Sequence, residues 1–282
     1  MKLNLPDRGN KFWFTIWGTL LLLCHGIGIV VRASYTDFNA HPDELARLPY
    51  LYYAANHTDI ALIGKDVPEA DFLDIDGLIE ETPVIIRAVF EGDRTYVYQS
   101  FISELRVNEV IRGDSISTGQ PITVFEPVRI TRLPWFESWR QESPDSFTAF
   151  SNHFGLQGNG APYVAQPTGS SYLYGGTMMK EGQEYLLFLR PKTYPSAEDR
   201  TGKHQEYVMV NNPYARLPIP ATSSFVGPVT EVAVLDPSHD FITLRESQDC
   251  EIILGDAIDV GLYMQTRNVL LERMEIASSK TA

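Results

Sequence analysis

One thiol outside an apolar N-terminal stretch, six imidazoles and a run of carboxylates are the reactive side chains that this 282-residue sequence offers. His25, His41, His57, His153, His204 and His239 are scattered, and no two sit at the i, i+4 spacing that sets a pair of imidazoles on one helix face for zinc. No metal site is expected. The sequence has no Gly-x-Ser-x-Gly elbow, no Gly-x-x-x-x-Gly-Lys phosphate loop and no dinucleotide fingerprint, so no catalytic residue and no cofactor is assigned. Cys250 with a distant His is the one nucleophile pair to propose. Nothing near Cys250 in the sequence lowers its pKa, which favours a small buried residue over a nucleophile.

Between Asp66 and Glu81 lie seven acids and no base. A solvated, repulsive spacer explains them. Calcium binding is the sharper alternative, because Asp74, Asp76 and Gly77 match positions 3, 5 and 6 of an EF-hand loop, but position 1 would then be Phe72 and position 12 Pro83. Arg112-Gly113-Asp114 is an adhesion tripeptide by composition, and ordinary turn chemistry by context. Asn56-His57-Thr58 satisfies a glycosylation sequon.

The elements that must position these groups begin with an anchor. Residues 12–31 form a 20-residue stretch without Asp, Glu, Lys or Arg, long enough as a helix to span roughly 30 Å of hydrocarbon. Lys2, Arg8 and Lys11 precede it and Arg32 follows. The positive-inside rule then places residues 1–11 in the cytoplasm and the rest of a single-pass protein outside the cell membrane. A cleaved signal peptide ending near Val31-Arg32-Ala33 is the rival reading, and both export the domain. Residues 32–82 read as a juxtamembrane and acidic segment.

Residues 83–282 read as one mostly β domain. Pro83 to Phe90 is a β-branched apolar run closed by a turn at Glu91-Gly92-Asp93, and a long strand from about Tyr96 to Ile111 follows. Ile122 to Phe125, the unbroken apolar run Tyr185 to Leu189 and Glu206 to Val210 continue the pattern. Segments 229–235 and 241–244 are candidate edge strands. A C-terminal amphipathic helix is expected from Leu262, Tyr263, Val269, Leu270, Met274 and Ala277. Residues 129–173 read as a long irregular insert studded with aromatics. Those rings either fold the insert onto the domain or form a recognition surface, for which Trp135, Phe136, Trp139, Tyr163 and Tyr172 are the candidate contacts.

The formal charge of −13 and pI near 4.9 argue against nucleic acid or an anionic lipid surface as partner. With Cys24 inside the apolar stretch, Cys250 has no partner for an intrachain disulfide in the exported part.

The strand from Ile85 to Phe90, the long strand carrying Val107-Asn108-Glu109-Val110-Ile111-Arg112-Gly113-Asp114, the strand Ile122 to Phe125, and Glu181-Gly182-Gln183-Glu184 leading into Tyr185 to Leu189 resemble an exported pattern. It is similar to the OB-fold domains of tissue-inhibitor-of-metalloproteinase or netrin-like type in bacterial surface proteins. The resemblance implies a small OB-like β-barrel over about residues 83–128 and 175–212. The inhibitors' Cys-x-Cys start and disulfides are missing here, which puts their zinc-chelating mechanism in doubt. The expectation is a membrane-anchored, extracytoplasmic binding or adaptor module of a bacterial cell envelope, with an envelope protein or a glycan as partner. An envelope hydrolase or a glycan-binding surface protein is the alternative.

Overall fold

Apolar side chains of one parity run through five strands and meet inside a closed ring. In the computed structural model these strands are β2 (Val84–Val97), β3 (Ser100–Arg112), β4 (Pro121–Glu126), β7 (Glu184–Pro191) and β8 (Gln205–Met209). Their neighbour order is β2-β3-β4-β8-β7, and β7 pairs back onto β2. Every contact in the ring is antiparallel except β4 with β8, which is parallel. The structure describes residues 16–24, 37–51, 75–97, 100–133, 140–142, 144–156, 162–168, 176–193, 204–219, 233–234, 242–254 and 257–281.

Ile86, Ala88 and Phe90 of β2, Leu105 and Val107 of β3, Ile122 and Val124 of β4, Leu187 and Leu189 of β7 and Tyr207 of β8 form one buried cluster. The opposite parity packs outward. Ile85, Leu186 and Phe188 join Leu78, Val210, Tyr214 and Leu217 beneath the C-terminal helix α5 (Ala257–Thr281), which contributes Tyr263, Leu270, Leu271 and Met274. Strand β7 is thus buried on both faces, as the unbroken apolar run Tyr185 to Leu189 requires.

One expected turn is a bulge instead. The sequence reading ended a strand at Glu91-Gly92-Asp93, but β2 runs through to Val97. Phe90 faces Leu105 and Arg94 faces Ser103, so three residues of β2 lie opposite one of β3. The extra length bends the strand. Gly92 takes φ +96°, and a Cβ there would meet the Glu181 carboxyl at 2.6 Å, so a turn-forming sequence serves to kink a continuous strand.

Strand β9 (Arg216–Ile219) continues β8 along the same side of β7 after an excursion at 211–214. Val210 N–H donates to Phe188 O at 3.0 Å and Phe188 N–H to Ala215 O at 2.9 Å. The excursion stacks Tyr214 on Tyr263 of α5, with centroids 5.2 Å apart at 12°.

The stretch expected to be irregular builds part of a second sheet. Within it β5 (Val128–Arg132) and β6 (Tyr163–Pro167) pair antiparallel, with α3 (Pro144–His153) between them in sequence. β6 continues to β1 (Pro49–Tyr50) and β1 to β11 (Ile242–Thr243), in the order β11-β1-β6-β5. Leu133, Phe150 and Val164 form the local core, with Leu51, Phe147, Phe154 and Leu156 packed on it. The alternation in Val128-Arg129-Ile130-Thr131-Arg132, with Val128 and Ile130 buried, is the signal for β5.

The folded unit also reaches back before residue 83. The helix α2 (Ile75–Glu81) buries Leu78, and Arg112 of β3 donates to its terminal carbonyls Ile79 O, Glu80 O (3.0 Å) and Thr82 O (3.1 Å). The Arg-Gly-Asp tripeptide is therefore a structural corner, with its arginine holding a helix end. Of the candidate edge strands, β10 (Ala233–Val234) pairs in parallel with β12 (Ile253–Leu254), while β11 joins the second sheet.

Residues 1–42 form a unit separate from 43–282. Residues 16–24 are helical with exposed side chains, including Trp17 and Leu20 to Leu23. Among the described residues no helix is long and apolar enough to cross a membrane; the remainder of 12–31 lies outside them.

Candidate functional site

Of the five aromatic residues expected at a contact surface, Tyr163 is described. It opens β6, half-buried, with the Arg132 guanidinium 5.2 Å from its ring centroid across the β5–β6 pair. Trp135, Phe136, Trp139 and Tyr172 lie outside the described residues. Phe147, Phe150 and Phe154 of the same stretch pack the local core, so these three rings fold the segment.

The Cys250 thiol and three of the six imidazoles, His41, His153 and His204, are among the described residues. Burial pushes the Cys250 thiol up to about 11, helped by the negative charges of Asp249 and Glu246, so it is protonated at neutral pH and a poor nucleophile. His153 meets Phe154 edge-on at 4.7 Å. His204 lies 3.8 Å from Glu104, with both side chains about a third exposed. This is the arrangement of an imidazole beside a carboxylate that hydrolytic chemistry would use, but Glu104 and His204 meet on the outward side of the ring. Among the described residues no three His, Cys, Asp or Glu side chains converge as metal ligands.

Three of the four charged side chains buried among the described residues, Glu126, Glu251 and Arg267, belong to two clamps. In the first, Glu126 at the end of β4 is fully buried. It accepts from Arg94 Nε at 2.8 Å, from the Ser103 hydroxyl and from Met179 N–H at 2.7 Å. Arg94 lies over the Phe90 ring and also donates to Met179 O at 2.5 Å. Every partner is satisfied, so the clamp ties β2, β3 and β4 to the segment before β7.

In the second, Glu251 accepts from Tyr263 Oη at 2.9 Å and Arg267 Nε at 2.8 Å, and Arg267 also donates to Pro218 O of β9. Glu251 Oε2 has no hydrogen-bond partner. Burial raises the Glu251 pKa, against the pull of Arg267, Tyr263 and Arg216. Beside it, between β7, β9 and residues 248–251, is a hollow lined by Lys180, Gln183, Tyr185, Arg216 and Cys250 among others. It has room for about one water molecule. Its cations are already engaged, Lys180 by Asp249 at 2.7 Å and Arg216 by Thr177.

Arg94, Glu126, Glu251 and Arg267 belong to none of the motifs in the sequence. A signal for one existed: Tyr263, Arg267, Leu270 and Met274 share a helical face, and an arginine on an apolar stripe needs a buried acid. Glu126 and Glu251 carry no comparable mark, because their partners are distant in sequence.

No protein-family model matches the chain, and no curated protein matches it. What the fold defines is a sheet-rich protein with two main sheets, one of them containing a closed ring of strands.

Proposed function

We propose that this chain is a membrane-tethered, extracytoplasmic binding or adaptor module without catalytic activity, whose ring of strands is an OB-type barrel. The observation that carries the reading is where two of the three carboxylates buried among the described residues go: Glu126 and Glu251 are committed to Arg94 and Arg267, which fasten elements together. The barrel assignment rests on connectivity. Numbered along the chain, the ring strands run first, second, third, fifth, fourth and back to first, with the third and fifth parallel, which fits a five-stranded Greek-key barrel.

The tether is residues 12–31, with the N-terminus cytoplasmic and the folded unit outside; the exposed apolar side chains at Trp17 and Leu20 to Leu23 support it. The contact surface is residues 129–173, through Trp135, Phe136, Trp139, Tyr163 and Tyr172. The partner is an envelope protein or a glycan, and the charge of −13 argues against nucleic acid.

Cross-linking of the full-length chain in its own membrane tests this reading. Replacing Trp135, Phe136, Trp139 and Tyr172 together with alanine should abolish the cross-linked partner while the denaturation midpoint of the ring is kept. Capture of the same partner by that variant would sink the contact assignment, and a partner that proves to be a glycan would select the lectin-like form of the reading. Turnover of an envelope substrate by the purified chain would replace it with the hydrolase.

A further inference from the structure

Residues 176–180 have no regular secondary structure, yet Thr177, Met178 and Met179 are each at most 3% exposed. Buried backbone of this kind must find hydrogen-bond partners, and β1, β9 and the ring supply them. Tyr50 of β1 donates its hydroxyl to Gly176 O at 2.7 Å. Arg216 of β9 donates to Thr177 O at 2.8 Å. Glu126 and Arg94 from the ring take Met179 N–H and O. The Thr177 hydroxyl reaches Cys250 O at 2.7 Å and Glu251 O at 3.0 Å, and Arg216 also donates to Glu251 O at 3.1 Å.

Glu251 is thereby held at both ends. Its backbone carbonyl is fixed by Thr177 and Arg216, and its side chain grips Tyr263 and Arg267 of α5. We infer that residues 176–180 are a coupler, through which the position of the second sheet at Tyr50 sets how firmly the C-terminal helix is docked. A shift of β1 that releases Gly176 O moves Thr177, and with it the residue whose carboxylate clamps α5. Tyr50 faces Ala165 of β6 in the same sheet. A partner that engages residues 129–173 would therefore be read out at α5; this last step rests on the function proposed above, and the coupling itself does not.

Hydrogen exchange of the full-length chain, followed by mass spectrometry without any partner, tests the coupling independently of the contact assignment. Tyr50→Phe removes one oxygen and keeps the ring. It should speed amide exchange across residues 263–274 about five-fold, the effect expected from one lost hydrogen bond. Thr177→Val should do the same, and the double variant should fall short of the product of the two, as members of one chain do. Tyr96→Phe is the control: it severs a different hydroxyl bridge between the ring and the second sheet, and although it lowers global stability it should speed exchange of residues 263–274 less than Tyr50→Phe does. Unaltered exchange of α5 in Tyr50→Phe would overturn the inference, and so would equal loosening of α5 by Tyr96→Phe, which would mark a general loss of stability.

Discussion

The phenolic hydroxyl of Tyr96 serves both backbone polar groups of Ile130, donating to its carbonyl at 3.1 Å and accepting from its N–H at 2.9 Å. Ile130 lies in β5, the last strand of the second sheet, and Tyr96 near the end of β2 in the ring. One side chain thus occupies the edge groups that would otherwise invite another strand, and it joins the two sheets.

Tyr96→Phe leaves those two groups without their partner. Unfolding in urea should show a loss of about 1–3 kcal/mol, with faster amide exchange in residues 128–132. A stability within a few tenths of wild type would mean that the hydroxyl is dispensable.

Arg94→Met should be more costly, because it strands the buried Glu126 carboxylate. The expected loss is about 3–5 kcal/mol. Adding Glu126→Gln to that variant should recover part of the loss, since the unpaired charge is removed; strict additivity in denaturant titrations would contradict the clamp.

Glu251 titrates above the ordinary carboxylate range because burial opposes its charge. Folding therefore takes up a proton between the unfolded and folded pKa values. The stabilising share of this group is absent at high pH, grows as pH falls through the folded value, and is complete below about 4.3, the ordinary glutamate value. The stability of wild type relative to Glu251→Gln should rise as pH is lowered from neutral toward that value, measured by denaturation at a series of pH values. A falling difference would reverse the sign and refute the account.

Cys250, with its thiol pushed up to about 11, should be alkylated by iodoacetamide at pH 7 on the order of 100-fold more slowly than a free cysteine of pKa about 8.5. Peptide-resolved mass spectrometry distinguishes it from Cys24. Fast labelling at neutral pH would restore a reactive thiol.

Arg112→Ala removes the side chain that meets the α2 carbonyls and should cost about 1 kcal/mol, with fraying of residues 75–81 in hydrogen exchange. Asp114→Ala, at the turn, should change stability by no more than about 0.5 kcal/mol.

By itself the sequence determined what depends on near neighbours. A β-branched apolar run announced the strand around Ile85 and one-parity alternation the strand around Val107, continuous apolarity marked β7 as buried on both faces, and helical spacing marked Tyr263, Leu270 and Met274 as the inward side of α5. Pairing across long sequence separations was decided only in three dimensions. Glu91-Gly92-Asp93 has turn chemistry, and it became a bulge because β3 offers one residue opposite three. The β5 and β6 strands are short and more than 30 residues apart, so their pairing depends on Val128 to Pro167 meeting in register. The charge clamps were the least legible: Glu126 and Arg94 are 32 residues apart, Glu251 and Arg267 are 16, and a carboxylate's local sequence says nothing about whether burial will leave it an arginine or water.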